Sequence, residues 1–153
     1  MENKSISPFQ MRQLQILHIE IENTRTDIID PEKLQTELLG DVMIHHDGER
    51  WSGLLTMDFK ATDKRDIERD RFNFTMTIGA AFTYSAENTP EEKARFDTLL
   101  KLNGATTLLI ALRGRVLTSC AALGMPQLLV PSIKLREFEW TDSSDVLQKN
   151  KMN

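Results

Sequence analysis

The sequence predicts an α+β fold in which a four-stranded antiparallel sheet is followed by a short and a long helix. Apolar and polar residues alternate with a period of two through most of the first half of the chain, as in half-buried strands. The period changes to that of a helix after Ser85. Asp47-Gly48 lies between two alternating segments and is typical of a tight hairpin turn, whose central positions favour positive φ angles.

The first strand is expected to start at Phe9, because the apolar residues from there to Ile21 fall mainly on odd positions. Leu14 and Ile16 break this alternation, which predicts a strand that is partly covered on both faces. The connection that follows, residues 23–37, carries more apolar residues than a solvated loop needs.

Three further strands are expected over residues 38–46, 51–61 and 72–83. Leu54 is the exception on the otherwise polar face of the third strand. Residues 63–71 carry a dense run of both charge signs and are expected to form an exposed connection.

The helical part begins with a capping box over residues 89–92, with proline at the first helical position. The short helix is expected to end at Asn103-Gly104. The long helix is then expected over residues 105–123, ending at Gly124 with Pro126 just beyond.

The long helix is apolar on nearly all sides, whereas a helix on a lone sheet needs one apolar face. Its second face is expected to pack against another subunit; burial beneath the C-terminal part of the same chain is the alternative. The residues assigned to this oligomer interface are Ile110, Gly114, Leu117, Thr118 and Ala121.

The length of 153 residues predicts a single domain, assigned to residues 1–140, with a polar and flexible tail over residues 141–153. The net charge of −4 argues against nucleic-acid binding. The single cysteine, the lack of a signal-peptide pattern and the lack of a long apolar run predict a cytoplasmic protein that does not insert into a membrane.

No catalytic or cofactor-binding pattern stands out, so the sequence predicts neither an enzyme nor a cofactor. His45 and His46 are adjacent in a strand and should point to opposite faces, which counts against a shared metal ion. Cys120 lies on the expected core face of the long helix. A small α+β enzyme stays open as an alternative that requires a deep pocket with a histidine beside Cys120 or a pair of carboxylates.

A binding function has more support, since apolar residues in the connection and near the hairpin would suit extended peptides. Burial of the same residues within an oligomer is the equal alternative. The residues concerned are Ile28, Ile29, Leu34, Trp51 and Leu54.

The exit from the long helix resembles that of the SecB family of export chaperones. In that family the helix ends in a Gly-x-Pro-x-Leu-x-x-Pro-x-Val/Ile segment, and Gly124, Pro126, Leu128, Pro131 and Ile133 stand at those places. The resemblance extends over about residues 9–135, where the order of the strands and helices also agrees.

The resemblance implies subunits joined as dimers or as dimers of dimers. It further implies an ATP-independent holdase that binds extended apolar segments of unfolded client proteins, with a possible part in protein export. Family client grooves follow the connection after the first strand and the outer sheet surface, which implies client contacts at Ile28, Ile29, Leu34, Trp51 and Leu54.

Two departures count against a partnership with the translocation ATPase SecA: the modest negative charge, and residues 135–140, whose period of two is that of a strand. The alternative function is an interaction module of the same fold dedicated to one partner, such as an antitoxin or a regulatory protein, without a role in export.

Overall fold

The computed structural model describes residues 7–63 and 71–145. A sheet is formed by β1 (Phe9–Asn23), β2 (Leu34–His46), β3 (Trp51–Asp63), β4 (Phe72–Tyr84) and β5 (Trp140–Asp142). The strand order is β1-β4-β3-β2-β5. Neighbours in the first four strands are antiparallel, whereas β5 runs parallel to β2. The predicted α+β class and four-stranded antiparallel sheet are confirmed, with one short strand added. Most of the predicted charged connection lies outside the described residues.

The predicted separation into two helices is wrong. Helices α1 (Pro90–Leu99) and α2 (Ala105–Ala122) are joined without a break by a π-helical turn, Leu100–Gly104. Gly104 is buried with φ −62°, and a Cβ added there would lie 3.0 Å from Leu55 Cδ1. This glycine therefore allows close packing of the helix on the sheet and does not terminate the helix.

Both outer ends of this helical segment agree with the sequence prediction. The hydroxyl of Thr89 accepts a hydrogen bond from the backbone N–H of Glu92 at 3.2 Å, as a capping residue does. At the other end Gly124 takes a positive φ of 64°, the left-handed conformation that ends many helices.

Two bulges explain the irregular alternation of β1. The pairing of β1 with β4 shifts register between Met11 and Gln13 and again between Ile16 and His18. At the first bulge the residues that face the helix side of the sheet change from odd-numbered to even-numbered positions, and at the second bulge they change back. Leu14 and Ile16 therefore lie on the same side of the sheet as Phe9, and the expected cover on both faces is wrong.

The core lies between α2 and the inner faces of β3 and β4, against which the helix packs. Its central sheet residues are fully buried, among them Leu55, Phe59, Phe74 and Ile78. The buried residues of α2 are Ala105, Leu108, Leu109, Leu112, Val116 and Cys120.

Residues 24–33, which connect β1 to β2, are anchored by polar contacts. The guanidinium of Arg25 forms an ion pair with Asp63 at the end of β3, and the two side chains are only 5% and 4% exposed. The Thr24 N–H donates to the Arg71 carbonyl at 2.9 Å. A single 3-10 turn, Pro31–Lys33, completes the connection and is capped by the Asp30 side chain. This connection is therefore held against the end of the sheet.

The expected strand over residues 135–140 overlaps the observed strand β5, Trp140–Asp142, only at its last residue. A tight turn closed by a 3.0 Å hydrogen bond from the Glu137 N–H to the Lys134 carbonyl occupies its first part. β5 begins only at Trp140, the last residue assigned to the domain, and continues into the predicted tail. Residues 146–153 of that tail lie outside the described residues.

Candidate polypeptide-binding surfaces

Three of the five residues predicted to bind clients are buried. Ile29, Leu34 and Trp51 are exposed by 4%, 7% and 4%. The indole N–H of Trp51 donates to the Glu87 carbonyl at 3.0 Å, and its ring packs beside Phe96. In this conformation these three side chains hold the ends of the sheet to the rest of the chain and offer no surface to a client.

The two histidines at the hairpin lie on opposite faces, as alternation requires. His46 stacks edge-on against Trp51 and accepts a hydrogen bond at Nδ1 from the Gly48 N–H at 3.0 Å. Its Nε2 therefore carries the proton and donates to the Ala86 carbonyl at 3.0 Å. Both ring nitrogens are engaged in holding the hairpin. Within residues 7–63 and 71–145, no group of three or more His, Cys, Asp or Glu is arranged to hold a metal ion.

The other two predicted residues, Ile28 and Leu54, are accessible but lie far apart. Ile28 is 89% exposed and belongs to the connection that leads to Leu34, which pairs with Asp63. Leu54 lies near the opposite, hairpin end of β3. The strand from Trp51 to Asp63 spans on the order of 40 Å. These residues define a path along the sheet for an extended chain and do not form a compact pocket.

Leu54 belongs to an apolar row across the outer face of the sheet. Its cross-strand partners are Met43 on β2 and Ala81 on β4. Leu17 on β1 lines the same shallow depression and is 47% exposed. We call Leu17, Met43, Leu54 and Ala81 the outer stripe. The sequence indicated only Leu54, because β1 reaches this face with Leu17 through a bulge.

The second face of α2 is exposed, and all five residues assigned to an oligomer interface lie on it. Ile110 and Leu117 are 64% and 46% exposed. No atom outside the helix backbone and the neighbouring residues lies within 4 Å of a Cβ added at Gly114. A groove of about 270 Å³ separates Gly114 and Leu117 from residues 127–130 of the exit segment. The remaining two residues of the face are Thr118 and Ala121.

The inner face of β1 is a surface that the sequence reasoning missed. Its register places Met11, Ile16 and Ile19 on the side of the sheet that carries the helix. They are nevertheless 47%, 39% and 44% exposed, since α2 packs over β3 and β4. Alternation counted through both bulges would have found them.

Two aromatic side chains that the sequence also did not indicate lie at the outer edge of β2. Phe138 and Trp140 pack edge to face with ring centroids 4.9 Å apart. We call the space that these rings occupy over Gly40 the aromatic seat. The rings fill this space, where an added Cβ would lie 2.5 Å from Phe138 Cε1 and 2.7 Å from Trp140 Cε3. A groove of about 410 Å³ adjoins the seat and is bounded on its other side by α1 and the π-helical turn.

The segment that contains β5, residues 138–144, is held by short polar contacts at its C-terminal end. The hydroxyl of Ser143 donates to the Asp41 carboxylate at 2.7 Å, and the Ile44 N–H donates to the Ser144 hydroxyl at 2.9 Å. Hydrogen bonds from Ser144 lower the pKa of Asp142 below its usual value. The Trp140 indole N–H is buried and finds no acceptor among the described residues.

Comparison with solved structures identifies the fold. The chain is similar to the Mycobacterium tuberculosis SecB-like chaperone Rv1957 in complex with a ChAD peptide from the Rv1956 HigA1 antitoxin. The TM-score is 0.57 at 17% identity, over 82% of this chain and 91% of that one. A Streptococcus agalactiae protein of unknown function is also similar, with a TM-score of 0.41 at 12% identity, over 84% and 100% of the two chains. The search with family models found no match. The search of curated proteins likewise found none.

The chain therefore has a SecB-like fold, as the sequence predicted. The helices in the described ranges include none with the length and apolar character needed to cross a membrane. Cys120 is 1% exposed on the core side of α2.

Proposed function

We propose that the protein is an ATP-independent, SecB-like holdase that binds extended apolar segments of unfolded proteins in the cytoplasm. The observation that carries this proposal is the number of large apolar side chains left exposed on a fold of this type. Ten of them are exposed in the described residues, from Met11 on β1 to Leu129 after the helix. Apolar surface of this kind suits reversible contact with unfolded chains.

The client path that we propose runs along the outer face of the sheet. Ile28 lies at one end of it, and Leu54 lies with the outer stripe towards the other. Leu39, which is 47% exposed on the same face of β2, lies between them. An extended chain of about twelve residues has the length of this path. The path retains Ile28 and Leu54 from the sequence prediction; Ile29, Leu34 and Trp51 support the ends of the strands.

We further propose that the second face of α2 joins subunits into a dimer or tetramer. Ile110 and Leu117 lie one helical repeat of seven residues apart, and Gly114 between them allows another helix to approach closely. The uncovered inner face of β1 adds to the apolar area available on the helix side of the sheet.

A module dedicated to one partner is the second candidate function. It is favoured by the similarity to Rv1957, whose structure holds a peptide from an antitoxin. The two functions differ in selectivity: a holdase captures many unfolded proteins, whereas a dedicated module binds one partner in a fixed ratio. The modest net charge of −4 favours neither a strongly acidic docking surface nor a contact with the translocation ATPase, so we propose no such contact.

The test is suppression of aggregation without nucleotide. Citrate synthase is unfolded by heat in the presence of increasing amounts of the protein, and light scattering is recorded with and without ATP. We expect scattering to fall in proportion to the protein added and to be unaffected by ATP. Unchanged scattering together with capture of a single stoichiometric partner would support the dedicated module instead.

A further inference from the structure

We propose that residues 138–144 compete within the same chain for the site at the outer edge of β2, so that a client enters as β5 leaves. The inference rests on the proposed function and adds regulation to it. It also names the preferred client, an extended segment that carries an aromatic side chain.

The outer edge of β2 is built to accept a strand. Edge strands present unpaired backbone N–H and C=O groups, and an extended peptide binds by adding to the ladder. β2 has thirteen residues, whereas β5 pairs with only three of them, Gly40 to Val42. A strand that is held by only three paired residues, such as β5, has low local stability. The chain's own C-terminal segment thus shows how a peptide fits this edge.

The aromatic seat supplies side-chain selectivity. Gly40 leaves space for two rings, and the adjoining groove of about 410 Å³ has room for a further large side chain. Trp140 fits the aromatic seat at a cost in free energy, because its buried indole N–H has no acceptor among the described residues. A phenylalanine from a client would fill the same space without burying that donor.

The polar contacts of the segment stabilise the closed state without fixing it permanently. They are chiefly two hydrogen bonds at the edge of the sheet. The Ser143 hydroxyl donates to the Asp41 carboxylate, and the Ile44 N–H donates to the Ser144 hydroxyl. A ligand that needs the open state binds with an apparent affinity reduced by the fraction of open molecules. Changes that open or lock the segment must therefore change client affinity in opposite directions.

Two full-length variants test this. Asp41 and Thr141 are paired positions in β2 and β5, so Asp41→Cys with Thr141→Cys allows a disulfide that locks the segment; neighbouring strands lie about 4.8 Å apart, within disulfide range. Ser143→Ala combined with Ser144→Ala opens it, since the double substitution removes both polar contacts of the segment and leaves the space over Gly40 unchanged. Ser85→Ala is the matched control, because Ser85 is exposed and lies outside the segment and the proposed binding surfaces.

The probe is fluorescein-labelled α-lactalbumin, reduced and carboxymethylated so that it stays unfolded, and binding is followed by anisotropy. We expect the oxidised double-cysteine variant to bind about tenfold more weakly than the same protein after reduction. We expect the double-alanine variant to bind severalfold more tightly than the wild type and Ser85→Ala. A synthetic peptide of residues 136–145 should displace the probe from the double-alanine variant, and a scrambled peptide should not.

Equal affinity of the oxidised and reduced forms, or weaker binding by the double-alanine variant than by the wild type, overturns the competition and leaves the holdase function in place. Absence of binding in every form, including the reduced and double-alanine proteins, overturns both proposals.

Discussion

The hydroxyl of Tyr84, the last residue of β4, donates a 2.6 Å hydrogen bond to the carboxylate of Glu92 in the first turn of α1. The backbone N–H of Glu92 also donates the capping hydrogen bond to the Thr89 hydroxyl, and its carboxylate pairs with Arg95 at 3.0 Å. One carboxylate therefore joins the end of the sheet to the start of the helical segment, and it sets the position of the helix over the core.

We expect Tyr84→Phe to lower the free energy of unfolding by about 1.5–3 kcal/mol, the usual contribution of a hydrogen bond to a charged group. The hydrogen bond to Glu92, with burial, raises the pKa of Tyr84 above 10.0. The stabilisation is therefore complete below pH 10.0 and is lost as the pH rises through the raised pKa. Urea unfolding of wild type and variant across this range measures it; a difference that stays constant into strong alkali would contradict the account.

We expect Leu117→Asp to give smaller particles than the wild type, because a carboxylate replaces an apolar side chain in the proposed helix contact. Ile110→Asp should act in the same way. Light scattering coupled to gel filtration measures the mass, and Ala94→Asp on the exposed side of α1 serves as the control. If the wild type is already a monomer at micromolar concentration, the subunit contact does not exist.

Two glycines of the same helical segment should respond oppositely to alanine. Gly104→Ala places a methyl group 3.0 Å from Leu55 and 3.2 Å from Phe82, so we expect a loss of about 1 kcal/mol. Gly114→Ala meets open space and should gain about 1 kcal/mol in helix propensity. Both are measured by urea unfolding in the Leu117→Asp background, which removes the proposed subunit contact. A gain at both sites would show that the π-helical turn is loosely packed.

Asp63→Asn should destabilise the protein by about 1.5–3 kcal/mol, because it removes the charge of the buried carboxylate that pairs with Arg25, whose ion pair with Asp27 stays in place. Residues 24–33 should then become a site of limited proteolysis, since this ion pair holds them against the sheet. Thermal unfolding and mass-spectrometric mapping of the cleavage site measure the two effects. Asp27→Asn, at a carboxylate that is 57% exposed, is the control and should change little.

The sequence predicted β3 and β4 closely because no bulge shifts their alternation, in which Leu54 is an exception, and one face of each is covered by the helix. It failed on β1 because each bulge shifts the parity of the residues that follow. It also placed a helix end at Asn103-Gly104, since a glycine needed for close packing has the same pattern as a glycine that ends a helix.

The candidate site was only partly predictable for a different reason. Trp51 is apolar and near a turn in the sequence, but its cover by Phe96 and Glu87 depends on the path of the chain after β4. The seat over Gly40 is formed by residues about a hundred positions away in the sequence. Contacts of this kind follow from the fold and leave no periodic signal.

Leu54→Asp should weaken client binding without unfolding the protein, because it places a charge in the outer stripe at a half-buried position. We expect about a tenfold loss of affinity for unfolded α-lactalbumin, or roughly 1.4 kcal/mol. Ala94→Asp, on the exposed side of α1 and away from the outer face of the sheet, is the control. Equal losses in both variants would contradict a specific role of Leu54 in client binding.

The most direct test of the central claim compares one polypeptide in two states. The wild-type protein is titrated, in the absence of nucleotide, into native α-lactalbumin and into an unfolded form of the same polypeptide. The unfolded form is reduced and then carboxymethylated at its cysteines with iodoacetate, so that it cannot refold. The account predicts saturable binding of the unfolded form and none of the native form. Absence of binding to the unfolded form, or equal binding to both forms, would contradict it.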